Sequence, residues 1–327
     1  MIIDDLSTSN IKKLNLALLI LVTFLSMIAT IFLPFFGFLW LAILPIPTAL
    51  LLLSGRKRDS AICAVLGIAP LFFLDYMLGI VALVLIAVVS SIYKIYIDRD
   101  KSALFAVGNI FLAFFGIAIL YILIASVLGG INVVTEFFKS YSGYIDNLQN
   151  DIVIKKYASL VAMDEVQFNS VIKQSQKLLK FIPYLLPGVW IVCCICSSIM
   201  NYFISSIVFK KQGINIKPSL AFKKWDIRWY YCWGIIIGLI LVLIPNFNAS
   251  LDMFVDVAGY NFLIVFGFLY SVIGVSVIVG IFDRFNIPIV WRIMIFIIFG
   301  MFVVFIFILP VIGLIDIWAN FRKLDRG

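Results

Sequence analysis

The chain of 327 residues contains no histidine. Histidine is the one side chain whose unperturbed pKa lies close to neutrality. Its absence excludes histidine acid–base catalysis, triads built on histidine, and histidine-ligated zinc or haem. Charge is scarce too: 13% of residues are Asp, Glu, Lys or Arg, against 64% hydrophobic. Soluble domains are nearer a quarter charged and half apolar. The composition therefore excludes an ordinary water-soluble fold and requires lipid as the solvent. The five cysteines, Cys63, Cys193, Cys194, Cys196 and Cys232, lie in apolar segments and form no disulfide framework. Cys193-Cys194-Ile195-Cys196 has the look of a metal or redox cluster but no acidic neighbour. Small polarizable residues packing in a membrane helix is the simpler reading. The phosphate-loop pattern GxxxxGK[ST] is missing. No metal, no cofactor and no enzymatic activity are expected, because no apolar segment presents paired carboxylates or a Lys/Ser set.

What is present is a series of nine long apolar runs, at about 14–33, 35–53, 61–74, 76–93, 102–128, 181–209, 229–244, 253–282 and 293–315. The expected fold is all-α: a polytopic membrane protein of eight or nine transmembrane helices. The organisation reads as an N-terminal membrane bundle (1–128), a helical insert (129–180) and a C-terminal membrane bundle (181–327). No cleaved signal peptide is evident, and the first run reads as an uncleaved first helix. The third and fourth runs are short for full spans and read as a pair of short or broken helices turning near Asp75.

The net charge of +8 clusters in short loops. It therefore points to membrane orientation and not to nucleic acid. Lys12 and Lys13 place the N-terminus on the cytoplasmic side of the membrane. The loop from Lys210 to Arg228, with Lys211, Lys217, Lys223 and Lys224, is the strongest positive-inside signal. Trp225, Trp229, Tyr230, Tyr231 and Trp233 follow as an interfacial belt. Topogenic charge explains this loop; docking of a partner protein or an anionic lipid is the other reading. Nine crossings put Arg322, Lys323 and Arg326 outside, against the rule.

The insert carries apolar residues at three- and four-residue spacing: Val134, Phe137, Phe138, Tyr141, Ile145, Leu148 and Ile152, then Phe168 to Ile182, with Asp164 as N-cap. Two amphipathic helices on the outer interface or over the bundle mouth are expected, with a plain tether as the alternative.

Polar and helix-breaking residues mark candidate sites. Nine of the ten prolines, Pro34, Pro45, Pro47, Pro70, Pro183, Pro187, Pro245, Pro288 and Pro310, lie in or at the ends of apolar segments. Pro45-Ile46-Pro47 is the densest break, of the kind that lines transporter cavities or merely kinks a helix. Nine spans bring Asp75, Asp252, Asp256 and Asp316 to the outer side. Asp252, Asp256 and Tyr260 share one helix face. An acidic mouth of this kind favours a cationic group, although acids at span ends are common. Asn109, Asn201 and Asn261 read as interhelical hydrogen-bond donors or as ligand contacts. Gly234-Ile235-Ile236-Ile237-Gly238 and the stripe Gly267, Ser271, Gly274 read as tight helix packing.

The order of several segments resembles the YybS-like family of bacterial membrane proteins of unassigned function. They are Leu186-Pro187-Gly188, Asn201 before Lys210-Lys211 and Gly213, and Asn261-Phe262-Leu263 with Leu269-Tyr270 and Gly274. Gly313-Leu314-Ile315-Asp316, Trp318 and Asn320-Phe321-Arg322-Lys323 follow, and Leu44-Pro45-Ile46-Pro47 matches in the first half. The resemblance implies a fold similar to the substrate-binding membrane subunits of energy-coupling-factor vitamin transporters, with residues 14–209 as a six-helix unit. The functional expectation is small-molecule transport or substrate binding through an outward pocket at Asp75, Asp252, Asp256, Tyr260, Pro45 and Pro47. The alternative is a non-enzymatic scaffold that recruits partners through the basic loop or the insert.

Overall fold

The computed structural model describes residues 15–33, 37–128, 130, 132–150, 154–156, 160, 164–214, 216–217, 221–244, 249–301 and 304–324. Lys12, Lys13, Pro34, Ile152, Pro245, Arg326 and the Asp252 side chain lie outside the described residues. The described residues form helices and contain no strand. Four helices are long and apolar enough to cross a membrane: Tyr76–Asp98, Ala103–Val127, Val166–Lys211 and Met253–Arg284. Exposed apolar side chains such as Phe73, Leu104, Val127 and Trp318 along the helices fit lipid contact. The chain divides into two compact units, Met1–Pro183 with Cys193–Pro218, and Tyr184–Val192 with Ser219–Gly327. The division therefore runs through one helix and not ahead of residue 181.

The first unit opens with α1 (Leu16–Phe32), capped by the Asn15 side chain on Ala17 N–H. The second apolar run forms two helices, α2 (Gly37–Ile43) and α3 (Ile46–Leu53). Pro45 has no N–H to continue α2, and Pro47 sits in the first turn of α3, where its missing donor costs nothing. The break is closed from outside. Asn201 Nδ2 donates to Ala42 O at 2.6 Å, Ser197 Oγ donates to Phe38 O at 2.9 Å, and Tyr93 OH donates to Asn201 Oδ1 at 2.7 Å. Asn201 and Tyr93 are fully buried, so each of these bonds replaces one that lipid cannot supply.

The third and fourth runs are longer as helices than as apolar stretches, which corrects the expectation of a short pair. α4 (Lys57–Leu74) and α5 (Tyr76–Asp98) hold 18 and 23 residues because each continues into the polar flank at 57–60 or 94–98. They turn at Asp75, as expected. α6 (Ala103–Leu128) follows. The core joins Leu50, Val89, Tyr93, Tyr96, Ile110, Phe114, Tyr202 and Phe209.

The insert begins with α7 (Val133–Asp146), capped by Asn132. Its second helix is not separate. Asp164 and Gln167 form a capping box, and from there α8 runs without interruption over Glu165–Lys211, about 70 Å at 1.5 Å per residue. Pro183 removes the donor that Leu179 O would receive, and Tyr141 OH of α7 donates to that carbonyl at 3.0 Å. Gln176 Nε2 on Ile145 O and a Lys180–Asp146 ion pair complete the α7 contact. Sequence periodicity locates this helix but cannot show that it has no end before the next run.

The second unit contains α9 (Cys232–Leu243), α10 (Ala249–Arg284), α11 (Ile289–Met301), α12 (Val304–Ala319) and residues 184–192 of α8. There Asn261 inserts its amide into α8: Gly188 N donates to Asn261 Oδ1, and Asn261 Nδ2 donates to Tyr184 O at 2.8 Å. The side chain thus bridges the helical bond between 184 and 188, one residue past Pro187. Asn201 and Asn261 are interhelical links, whereas Asn109 turns back to Phe105 O of its own helix. α9 and α10 run antiparallel. A Cβ on Gly234 would overlap Phe266, and one on Gly238 would lie 2.9 Å from the Leu263 side chain and 3.2 Å from Gly259 O.

α10 and α12 cross in parallel. Gly274 lies against Leu309 O, Gly313 lies against Tyr270 O, and any Cβ at either position would be 2.1 Å from that oxygen. Further along both helices, Ser276 Oγ meets Arg322, just beyond the end of α12. Parallel α10 and α12 require α11 to run back between them, so the ninth apolar run is two helices. No charge or proline marks the turn, which is why the run reads as one. Four helices of alternating direction therefore separate the basic loop from the tail, and both lie at one end of the unit.

A charged pocket in the second unit

The loop after residue 221 contains a short 3-10 turn (Phe222–Lys224) and faces the C-terminal ends of α10 and α12. There Arg322 makes six contacts to loop and helices. Nε and Nη2 donate to Asp316 Oδ2 at 3.1 and 2.9 Å. Nη1 donates to Trp225 O at 2.6 Å, Lys223 O at 3.2 Å and Ser276 Oγ at 2.8 Å. Nη2 also lies 3.5 Å from Asp226 Oδ1. The Arg322 side chain is 2% exposed and that of Asp316 0%. Asp316 Oδ1 accepts from Phe321 N at 2.9 Å, and Ser276 Oγ donates to Phe222 O at 2.7 Å. A buried pair of this kind gives back most of its attraction in desolvation, so its main effect is to fix position. It fixes the loop, the tail and α10 together.

A second junction uses Asp283 at the end of α10. It pairs with Lys223 at 2.8 Å and with Arg292 of α11. Arg292 Nε also donates to Ile287 O at 2.7 Å. The two junctions wall a cavity of about 820 Å³, within the usual range of ligand sites. Five cationic and two acidic side chains line it, with Ile281, Phe321 and Leu324 as apolar floor. Gly280 leaves room for the Arg322 stem, whose Cγ would lie 3.2 Å from a Cβ there. Among the described residues, the lining cations Lys224, Arg284 and Lys323 carry no ion pair. Lys323 has a left-handed backbone, φ 52°, a conformation that costs a non-glycine residue on the order of 1 kcal/mol. The turn is held by Lys323 N on Asn320 O and by reciprocal bonds between the Asn320 amide and Leu324.

The residues expected to form the site divide between the units. Pro45 and Pro47 lie in the first, at the buried junction closed by Asn201. Asp75 is also there; its Oδ1 caps Met77 N and Leu78 N at 2.8 and 3.2 Å, and Tyr121 OH donates to its Oδ2 at 3.1 Å. Asp252, Asp256 and Tyr260 lie near the start of α10 in the second unit, on one helix as their spacing requires. Asp316 does not join them. It sits at the opposite end of α10, beside Arg322 and the second part of the basic loop. The loop itself is divided. Lys217 N donates to Tyr96 OH, Tyr202 OH donates to Lys217 O, and Lys217 pairs with Asp100, so its first part belongs to the first unit. Lys223, Lys224 and Arg228 belong to the second.

Sequence reading did not find Arg322, Ser276 or Asp283 as a group. One signal was available: the tail cations violated the positive-inside rule while Asp316 closed an apolar run beside them.

Long apolar helices, polar side chains used to mend helix breaks, and charges gathered at the edges of the apolar segments define a multi-helix membrane protein. No curated protein and no solved structure matches the chain. The family model described as Predicted membrane protein (DUF2232) matches residues 21–317, and the chain belongs to that family.

Proposed function

We propose that the protein is a non-enzymatic, membrane-embedded binding protein whose working site is the charged pocket of the second unit. The observation that carries this reading is Arg322. A guanidinium 2% exposed, spent on Asp316, Ser276 and two loop carbonyls, ties loop, tail and α10 together at the wall of the cavity. By the positive-inside rule this end faces the cytoplasm. The site is therefore on the side opposite the acidic mouth that residues 252–260 suggest. Exposed Trp229, Tyr230, Tyr231 and Trp233 beside the loop suit the lipid–water boundary, so the pocket would be reached from the cytoplasm or from the membrane surface. Transport is the further step this reading permits, with the pocket as the cytoplasmic station of a solute.

The full chain, purified in nanodiscs, tests this by native mass spectrometry for retained small molecules and by thermal shift against a panel of metabolites. A retained or stabilising compound lost from Ile281→Trp, which narrows the pocket without touching its ion pairs, is the expected result. No compound retained, and no shift from any member of the panel, would refute it. A defined protein crosslinked through Lys224, in place of any small molecule, would favour the scaffold reading.

A further inference from the structure

Resting on that reading, we infer that the pocket takes a phosphate-bearing organic anion, with Lys224, Arg284 and Lys323 as the phosphate donors. The positive charges in the pocket have unequal roles. Arg322 and Lys223 are already committed to Asp316, Asp226 and Asp283. Lys224, Arg284 and Lys323 come from three different segments, the loop, the end of α10 and the tail, and all line the same cavity. No described residue pairs with any of them. Like charges gathered around one cavity repel one another and together draw an anion to it.

The left-handed backbone of Lys323, φ 52°, belongs to the Asn320 turn, which sets where this side chain leaves the tail. Three separate donors with no ion-pair partner among the described residues match the three terminal oxygens of a phosphomonoester better than a single carboxylate. The cavity of about 820 Å³ is far larger than one phosphate group, and Ile281, Phe321 and Leu324 give the remainder of a molecule an apolar surface. The ligand therefore carries an organic body as well as its charge.

That chemistry has two sources, a soluble phosphate ester or the headgroup of an anionic lipid. Glycerol 3-phosphate and phosphatidic acid present the same phosphomonoester without and with acyl chains, and so separate them. The full chain in phosphatidylcholine nanodiscs is titrated with glycerol 3-phosphate by calorimetry. In parallel, nanodiscs containing phosphatidic acid are assayed by native mass spectrometry for retained lipid. Binding of either probe is expected, weakening as salt rises. It should fall about tenfold for each cation neutralised in Lys224→Gln, Arg284→Gln and Lys323→Gln. Response to glycerol 3-phosphate assigns a soluble ester, and response to phosphatidic acid alone assigns the membrane.

The three substitutions are at exposed side chains, so an unchanged unfolding midpoint is the control for an intact fold. Binding that is equal in the triple variant, or absent for both probes, would overturn the assignment. A retained compound without phosphate, lost from Ile281→Trp, would overturn it while leaving the pocket itself as the working site.

Discussion

Replacing Arg322 with Met tests whether the buried ion pair organises the pocket. The substitution keeps an unbranched stem of similar length past Gly280 and removes the charge. Asp316, 0% exposed, then loses both guanidinium bonds to its Oδ2. The Trp225 and Lys223 carbonyls and Ser276 Oγ lose the guanidinium as well. Leaving one buried charge without its partner costs about 3–5 kcal/mol. The double variant Arg322→Met with Asp316→Leu removes both charges. It should recover at least about 2 kcal/mol of that loss, because the desolvation cost leaves with the pair. Cys232, 5% exposed, is a local reporter. In a background with the other four cysteines changed to Ala, its reaction with a fluorogenic thiol probe follows unfolding of the second unit. The single variant should also expose Lys223 and Lys224 to trypsin faster than wild type. A single variant as stable as wild type, or a double variant no better than the single, would refute the reasoning.

Other consequences can be checked separately. Asn201→Leu strands the Tyr93 hydroxyl and the Ala42 carbonyl in the core and should cost about 2–4 kcal/mol, measured by denaturant titration; a cost below the assay error would mean the α2–α3 break is closed some other way. Gly274→Ala places a Cβ against Leu309 O, so α10 and α12 must separate; a severe loss of folded protein in detergent is expected, whereas Gly267→Ala, with nothing within 4 Å, should be near neutral. Cysteines introduced at 224 and 323 should label from the same face of sealed vesicles, and labelling from opposite faces would contradict the parallel crossing of α10 and α12. Asp252→Asn combined with Asp256→Asn should leave glycerol 3-phosphate or phosphatidic acid binding unchanged, because Asp256 lies about 40 Å along α10 from Asp283 at 1.5 Å per residue; a lost calorimetric signal would move the site toward that end.

Much of the helical layout is legible in the chain. Apolar length marks α1, α5, α6 and α10, and the Asp164 capping box and the Asp75 turn are both local signals. The proline pair announces the α2–α3 break, since a missing N–H is a property of the residue itself. The candidate site was far less legible. Asp316 and Arg322 are six residues apart and meet only because the chain reverses through the left-handed residues Asn320 and Lys323. Ser276, Asp283 and Trp225 reach the same place from distant segments, and no spacing rule connects them. Asp75 looked like a ligand because a carboxylate beside an apolar run is unusual, and its capping bonds become visible only with the backbone of α5 in place.

Composition determined the solvent of this protein, and the length of the apolar runs its helical class, because a continuous apolar stretch in lipid satisfies its backbone within its own segment only as a helix. Local sequence determined most helix starts and the position of the proline breaks. Tertiary structure decided what mends those breaks, because the donors, Asn201, Tyr141 and Asn261, come from other helices. It also decided that the last apolar run folds back on itself, since hydrophobicity has no direction and an unbroken run does not reveal a reversal. That reversal returns Asp316 and Arg322 to the basic loop, and with them places the charged pocket.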